Sequence, residues 1–162
     1  MNPDDPTVVD ILRRAMVVRI ATVSRKGRPH VNPLYFVYRE GKLYLGTSDR
    51  TLAALNVKAN PQVTILVNVA SEPSDRRVLR IHGRATERTD SRLCRWYLRQ
   101  DVWKYFVSWR GLGNALAHAR LLPLVHRYLS SRPRGKTCVL EVLPQQAELL
   151  TVPKKIGSKE VS

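Results

Sequence analysis

The sequence is short of cysteine, of acidic residues and of long apolar runs, and each shortage excludes something. The two cysteines, Cys94 and Cys138, lie far apart and match no metal-ligand spacing. They read as buried or half-buried thiols in a reducing cytoplasm rather than as a disulfide framework. No stretch approaches the roughly 20 apolar residues that cross a bilayer. The first residues, MNPDDPTVVD, are acidic and lead into no apolar run, so no secretory signal is expected. A soluble, cytoplasmic protein is the expectation.

Acids are outnumbered. Thirteen Asp and Glu face 28 Lys and Arg, 20 of them Arg, for a net charge of +15 over 162 residues. Such a field draws nucleic acid, an acidic membrane surface or a phosphorylated cofactor. Alternatively, it reflects arginine spread over solvated faces. The basic residues are scattered, with no run of five like charges, so charge permits nucleic acid without arguing for it. Familiar catalytic signatures are missing as well: no Gly-x-Ser-x-Gly elbow, phosphate-binding Walker loop, His-Glu-x-x-His or dinucleotide fingerprint occurs. His118 and His126 are eight apart with Pro123 between them, which is no helical metal pair, and no metal site is expected. With no evident nucleophile–base pair, any enzymatic reactivity would come from a bound cofactor.

What is present is a series of strands punctuated by turns. Thr7 is placed to cap a helix over 8–16, with Asp10 in the capping-box position and Val8, Ile11, Leu12 and Ala15 at helical spacing. Residues 17–24 form a β-branched first strand, and Ser24-Arg25-Lys26-Gly27-Arg28 its turn. The second strand runs over 29–38. Its Pro33 donates nothing to a ladder, so an edge or a bulge is expected there. Glu40-Gly41 turns into a third strand at 43–46, followed by a short helix at 50–59 with Leu52, Leu55 and Val57 inward. Asn60-Pro61 stops that helix. The strand at 62–70 reads as buried on both faces, and a polar loop at 71–75 precedes a long strand at 78–88 containing Gly83.

Beyond residue 90 the character changes. Asp90 caps a helix with Leu93, Trp96 and Tyr97 near one face and Arg92, Arg95 and Arg99 on another. After Gly111-Leu112-Gly113 a second helix is expected, with Leu116, Ala119 and Leu122 inward up to Pro123. Trp96, Trp103 and Trp109 all fall in this region, as core, dimer contact or a lid over a planar ligand. A turn at 132–135 leads to two closing strands, 136–143 and 147–152, split by Pro144. The expected organisation is one domain over 1–152, with a helical insertion at about 90–135 and a disordered basic tail at 153–162.

Two segments are candidate sites. Thr47, Ser48, Arg50 and Thr51 place hydroxyls and a guanidinium at a helix start, where free backbone N–H groups favour an anion. The alternative is an ordinary cap with Arg50 solvated, and Asp49 counts against an anion. His30 and Asn32 flank the Pro33 bend and are either ligand-directed or plain strand residues.

The stretch RIATVSRKGRPHVNPLYFVYREGKLYLGTSDRTLAALNVKANPQVTILV resembles the split barrels of the pyridoxamine 5′-phosphate oxidase-like superfamily. The matching features are Arg-Pro-His-Val-Asn-Pro after a glycine turn, Leu-Tyr-Leu-Gly-Thr before a short helix, and Asn-Pro-Gln-Val opening a strand. VLRIHGRATE, residues 78–87, is similar to the following strand. The resemblance implies a mainly β fold: a six-stranded antiparallel split barrel with a helical insertion before the last strands. It also implies a homodimer with cofactor grooves between subunits.

Carried over by position, His30, Val31, Asn32 and Pro33 would approach a flavin or deazaflavin ring. Thr47, Ser48, Arg50 and Thr51 would surround the phosphate with Asn56 nearby, and Arg80 and Arg84 would add charge. Many relatives carry a lysine eight positions before the Asn-Pro proline, and here that position is Ala53. That departure leaves a deazaflavin gripped differently, another ligand such as a tetrapyrrole, or a barrel that has lost its cofactor; the resemblance as a whole implies a flavin- or deazaflavin-dependent oxidoreductase binding FMN or a deazaflavin coenzyme (F-420 type). The alternative is a non-catalytic protein that sequesters an anionic planar ligand such as a tetrapyrrole. Nucleic-acid binding ranks last.

Overall fold

Alternation with period two governs most of the chain, and a sheet that buries only one side of each strand must close around that side. The computed structural model describes residues 1–69, 77–104 and 135–151. The expected loop at 71–75, the second helix, Trp109, the turn at 132–134 and the tail lie outside them. In chain order the elements are α1 (Pro6–Arg14), β1 (Val17–Val23), β2 (Pro29–Arg39), β3 (Lys42–Ser48), α2 (Leu52–Ala59), β4 (Gln62–Asn68), β5 (Arg77–Arg88), α3 (Ser91–Val102) and β6 (Thr137–Thr151). The strands close into an antiparallel barrel in the order β1-β2-β3-β6-β5-β4. The fold is the expected mainly β, six-stranded barrel.

Inside it Ile20, Phe36, Leu45, Ile65, Ile81 and Leu140 are each 0% exposed, worth roughly 1.5–3 kcal/mol apiece against solvent. α1 joins this core through Val8 and Leu12 and lies beside the β2–β3 turn, where Asp4 approaches Gly41. α2 closes the opposite end, touching β1, β2, β3 and β5.

Several local expectations change. α1 begins two residues early because Pro6 occupies its first turn and Asp5, not Thr7, accepts the capping bond from Thr7 N at 2.8 Å. β4 is buried on one face only, through Val63, Ile65 and Val67, since a barrel wall has a single interior. α2 turns Ala53, Ala54, Asn56 and Val57 inward and leaves Leu52 and Leu55 about half exposed. A helix laid over a barrel mouth lies close to the strand ends, and alanine permits that approach where leucine would hold it off.

The two expected closing strands are one. β6 runs through Pro144 by a register shift opposite His82 and Gly83: His82 pairs with Gln146 and Gly83 with Pro144. The bulge accommodates the missing N–H. A Cβ at Gly83 would lie 2.5 Å from the Leu143 carbonyl oxygen, so glycine is what permits the backbones to meet. Pro33 in turn follows the edge alternative. Its strand keeps regular register with β1, and residues 29–35 of β2 have no second strand beside them among the described residues.

Candidate functional site at the split in the barrel

β2 and β3 pair only from Phe36↔Leu45 to Arg39↔Lys42. Above that point β3 goes on along β6, from Gly46↔Val139 to Ser48↔Thr137, while β2 keeps only β1 among the described residues. The gap between them is the split, and α3 lies against its outer side. Tyr97, Cys94 and Val139 form a second apolar cluster there with Val37 and Tyr44. Trp96 meets Tyr44 edge-on, with ring centroids 5.1 Å apart, and Arg39 lies over Trp96 at 5.3 Å.

Two successive β2 carbonyls are engaged from α3 and the residues just after it. The Tyr97 hydroxyl lies 3.2 Å from Tyr35 O and 3.2 Å from an Asp101 carboxylate oxygen. The Lys104 ammonium donates to Phe36 O at 3.0 Å and sits 4.0 Å from the Phe36 ring centroid. Burial lowers the Lys104 amine from 10.5 to about 8, with Asp101 partly opposing. A cation enters the split because a carbonyl, a ring face and a carboxylate receive it. Sequence reasoning had no signal for Lys104, whereas the apolar face containing Tyr97 was readable from its spacing.

The predicted site residues divide between places. On β2 they alternate: His30 and Asn32 turn toward the interior, while Val31, 56% exposed, and Pro33 face outward. Tyr35 and Val17 continue this outer face as an exposed apolar strip. Asn32 Oδ1 is buried without a hydrogen-bond partner among the described residues. At the β3–α2 junction the hydroxyls mostly serve one another. Thr47 Oγ1 and Thr51 Oγ1 are 2.9 Å apart, and Thr51 Oγ1 donates to Ser48 O at 2.8 Å and accepts from Ala54 N at 3.4 Å. Ser48 Oγ donates to Asp49 at 3.4 Å. Arg50 is exposed at the same junction.

Asn56 lies inside the barrel end, 5% exposed, donating through Nδ2 to Thr22 Oγ1 at 3.0 Å. Ala53 is 1% exposed and offers no cation. Arg80 and Arg84 sit on the outer face of β5, diametrically across the six-stranded ring from β2. Arg80 is paired there with Glu148, whose carboxyl it holds below the ordinary range. Within one chain these two arginines do not share a site with His30–Pro33.

The same barrel end holds a buried ionic group outside the predicted site. Glu87, with its side chain 8% exposed, pairs with Lys58 at 2.8 Å. Burial and then Glu87 push the Cys138 thiol up to about 12. Both cysteines are free and buried, and no cluster of three metal-ligating side chains occurs among the described residues.

The family described as pyridoxamine 5′-phosphate oxidase matches residues 5–150. The chain belongs to the pyridoxamine 5′-phosphate oxidase family. No curated protein matches it by sequence.

Solved structures similar to it carry diverse descriptions. A haem storage protein from Vibrio cholerae is 21% identical with a TM-score of 0.60, over 91% of this chain and 93% of that one. An F-420 reductase is 22% identical with a TM-score of 0.53, over 86% and 94%. An FAD-binding protein from Mesorhizobium loti is 20% identical with a TM-score of 0.56, over 86% and 88%. At these identities the likeness is one of fold.

The residues of this pyridoxamine 5′-phosphate oxidase-like barrel are compatible with a flavin-type group. Val31, Pro33 and Tyr35 offer an apolar wall on the outer face of β2, and Arg50 is the exposed cation at the α2 end; Asn32 Oδ1, without a partner among the described residues, lies on the inner face. Among the described residues no helix is long and apolar enough to cross a membrane.

Proposed function

We propose that the protein is a flavin- or deazaflavin-dependent oxidoreductase acting on a small planar substrate. The observation that carries this reading is the split itself, in a chain whose family match spans residues 5–150. Residues 29–35 of β2 have no second strand among the described residues and carry an apolar outer face. An F-420 reductase and an FAD-binding protein among the similar folds support the same cofactor class.

In this reading FMN or a deazaflavin coenzyme lies against Val31, Pro33 and the β3–α2 junction, and Arg50 takes the phosphate in place of a cation at position 53. Bound there, the cofactor supplies hydride or electron transfer; the chain binds it, orients it and limits water around it. The working unit is a homodimer, because Arg80 and Arg84 reach a β2 groove only from a second copy.

The test is direct. Purified protein mixed with FMN or a deazaflavin coenzyme and then desalted should retain the cofactor's absorbance and elute as a dimer. A protein that binds neither cofactor at micromolar concentration overturns the reading. The likeness to a haem storage protein keeps a second reading in view, a binding protein that sequesters a tetrapyrrole. Retention of haemin and of no flavin would favour it.

A further inference from the structure

α2 has two faces, and the barrel accounts for only one. Ala53, Ala54, Asn56 and Val57 close the barrel mouth, while Leu52 and Leu55, one turn apart, stay 52% and 49% exposed. Charge divides along the barrel in the same direction. At the α1 end cations and acids balance: Asp10 pairs with Arg14, Glu40 with Arg39 and Glu141 with Lys42. At the α2 end the acids are engaged already. Glu87 pairs with Lys58, Asp90 with Arg88, and Asp49 accepts the Ser48 hydroxyl. Arg25, Lys26 and Arg28 in the β1–β2 turn, and Lys136 just before β6, are exposed and in no ion pair among the described residues. These cations flank α2. Thr22, just before the turn, is bonded to Asn56 of the helix, and the Lys136 carbonyl accepts from Asp49 N at 3.1 Å just ahead of it.

We propose that the outer face of α2 is a docking surface for an anionic phospholipid bilayer. Leu52 and Leu55 enter the headgroup layer, and Arg25, Lys26, Arg28 and Lys136 meet the lipid phosphates around them. Such a surface uses both features at once, because shallow apolar side chains and a rim of cations add to each other at a membrane interface. Nucleic acid would engage the cations but has no use for two leucines among them. A stable protein interface buries roughly 800 Å² a side, far more than two half-exposed leucines offer. α2 is already fixed to the barrel by its inner face, so docking orders no new chain. The proposal stands apart from the cofactor reading, which uses Arg50 and Arg84 and none of these residues.

The experiment is co-sedimentation with vesicles of phosphatidylcholine alone and of phosphatidylcholine with phosphatidylserine. The wild type should bind the anionic vesicles, release them as salt rises, and leave the neutral ones. Lys26→Ala with Arg28→Ala should weaken binding about 25-fold, near fivefold for each cation. Leu52→Gln with Leu55→Gln should weaken it about tenfold and leave binding to duplex DNA unchanged. A leucine variant that binds anionic vesicles as the wild type does overturns the proposal. So does a wild type that binds neither vesicle, binds both equally, or prefers DNA to phosphatidylserine. Both native thiols are buried, so Leu55→Cys takes an environment-sensitive fluorophore at one place. Its emission should move to the blue on anionic vesicles, and an unmoved emission overturns the proposal even where a double variant fails to fold.

Discussion

The ring of Tyr97 occupies the space that a side chain at Gly46 would need. A Cβ built at Gly46 would lie 2.4 Å from Tyr97 Cε1. Tyr97 is 3% exposed and bonded to Tyr35 O and Asp101, so the ring has little freedom to withdraw. Gly46→Ala should lower stability by about 1–3 kcal/mol and loosen α3 from the split, read as a lower urea midpoint and faster amide exchange in residues 91–102. An unchanged midpoint would mean that the helix shifts freely. Gly83→Ala should cost more, because the atom it meets is the Leu143 carbonyl of the backbone, which has no rotamer to change.

The buried Thr22–Asn56 pair gives a second prediction. Thr22→Val should destabilise by about 1–3 kcal/mol, because it strands the Asn56 amide at 5% exposure. Thr22→Val with Asn56→Leu should recover a large part of that loss. A double variant no more stable than the single one would show that Asn56 is held by something other than Thr22.

Alkaline titration should separate two groups of opposite sign. The Cys138 thiol is raised from 9.0 to about 12 in the folded protein, by burial first and Glu87 second. Between those values the unfolded chain binds fewer protons, so this group makes stability fall as pH rises. Lys104 is lowered from 10.5 to about 8 by burial. Between those values the unfolded chain binds more protons, so this group makes stability rise. Urea unfolding at pH 8 and pH 10 should show a more favourable pH trend for Cys138→Ala than for the wild type, and a less favourable one for Lys104→Met. Parallel trends in all three proteins would contradict both assignments.

Arg50 is the exposed cation at the β3–α2 junction, and Ala53 supplies none. On the proposed function, Arg50→Ala should weaken FMN about ten- to hundredfold, taking roughly 1.5–3 kcal/mol for a charged hydrogen bond. Riboflavin, which has no phosphate, should lose little. Equal losses for both ligands would place the phosphate elsewhere.

The chain's own residues determined its turns, its strand order up to residue 88 and the stop at Asn60-Pro61, because glycine, proline and β-branched residues act on their own backbone. Gly27 and Gly41, both at φ +74°, hold the two hairpin turns where the sequence places them. The sequence did not determine what lies opposite what. The face of α2 that turns inward depends on how closely a helix approaches a barrel mouth, which hydrophobicity alone does not express: Leu52 and Leu55 stay outside while Asn56 goes in. The single strand through Pro144 exists because Gly83 stands beside it on a strand more than fifty residues earlier. Closure of the barrel likewise put Arg80 and Arg84 across the ring from His30–Pro33 and left Asn32 Oδ1 without a partner among the described residues. Local residues set local geometry; cross-strand partners, and with them the candidate site, were settled only when the ring closed.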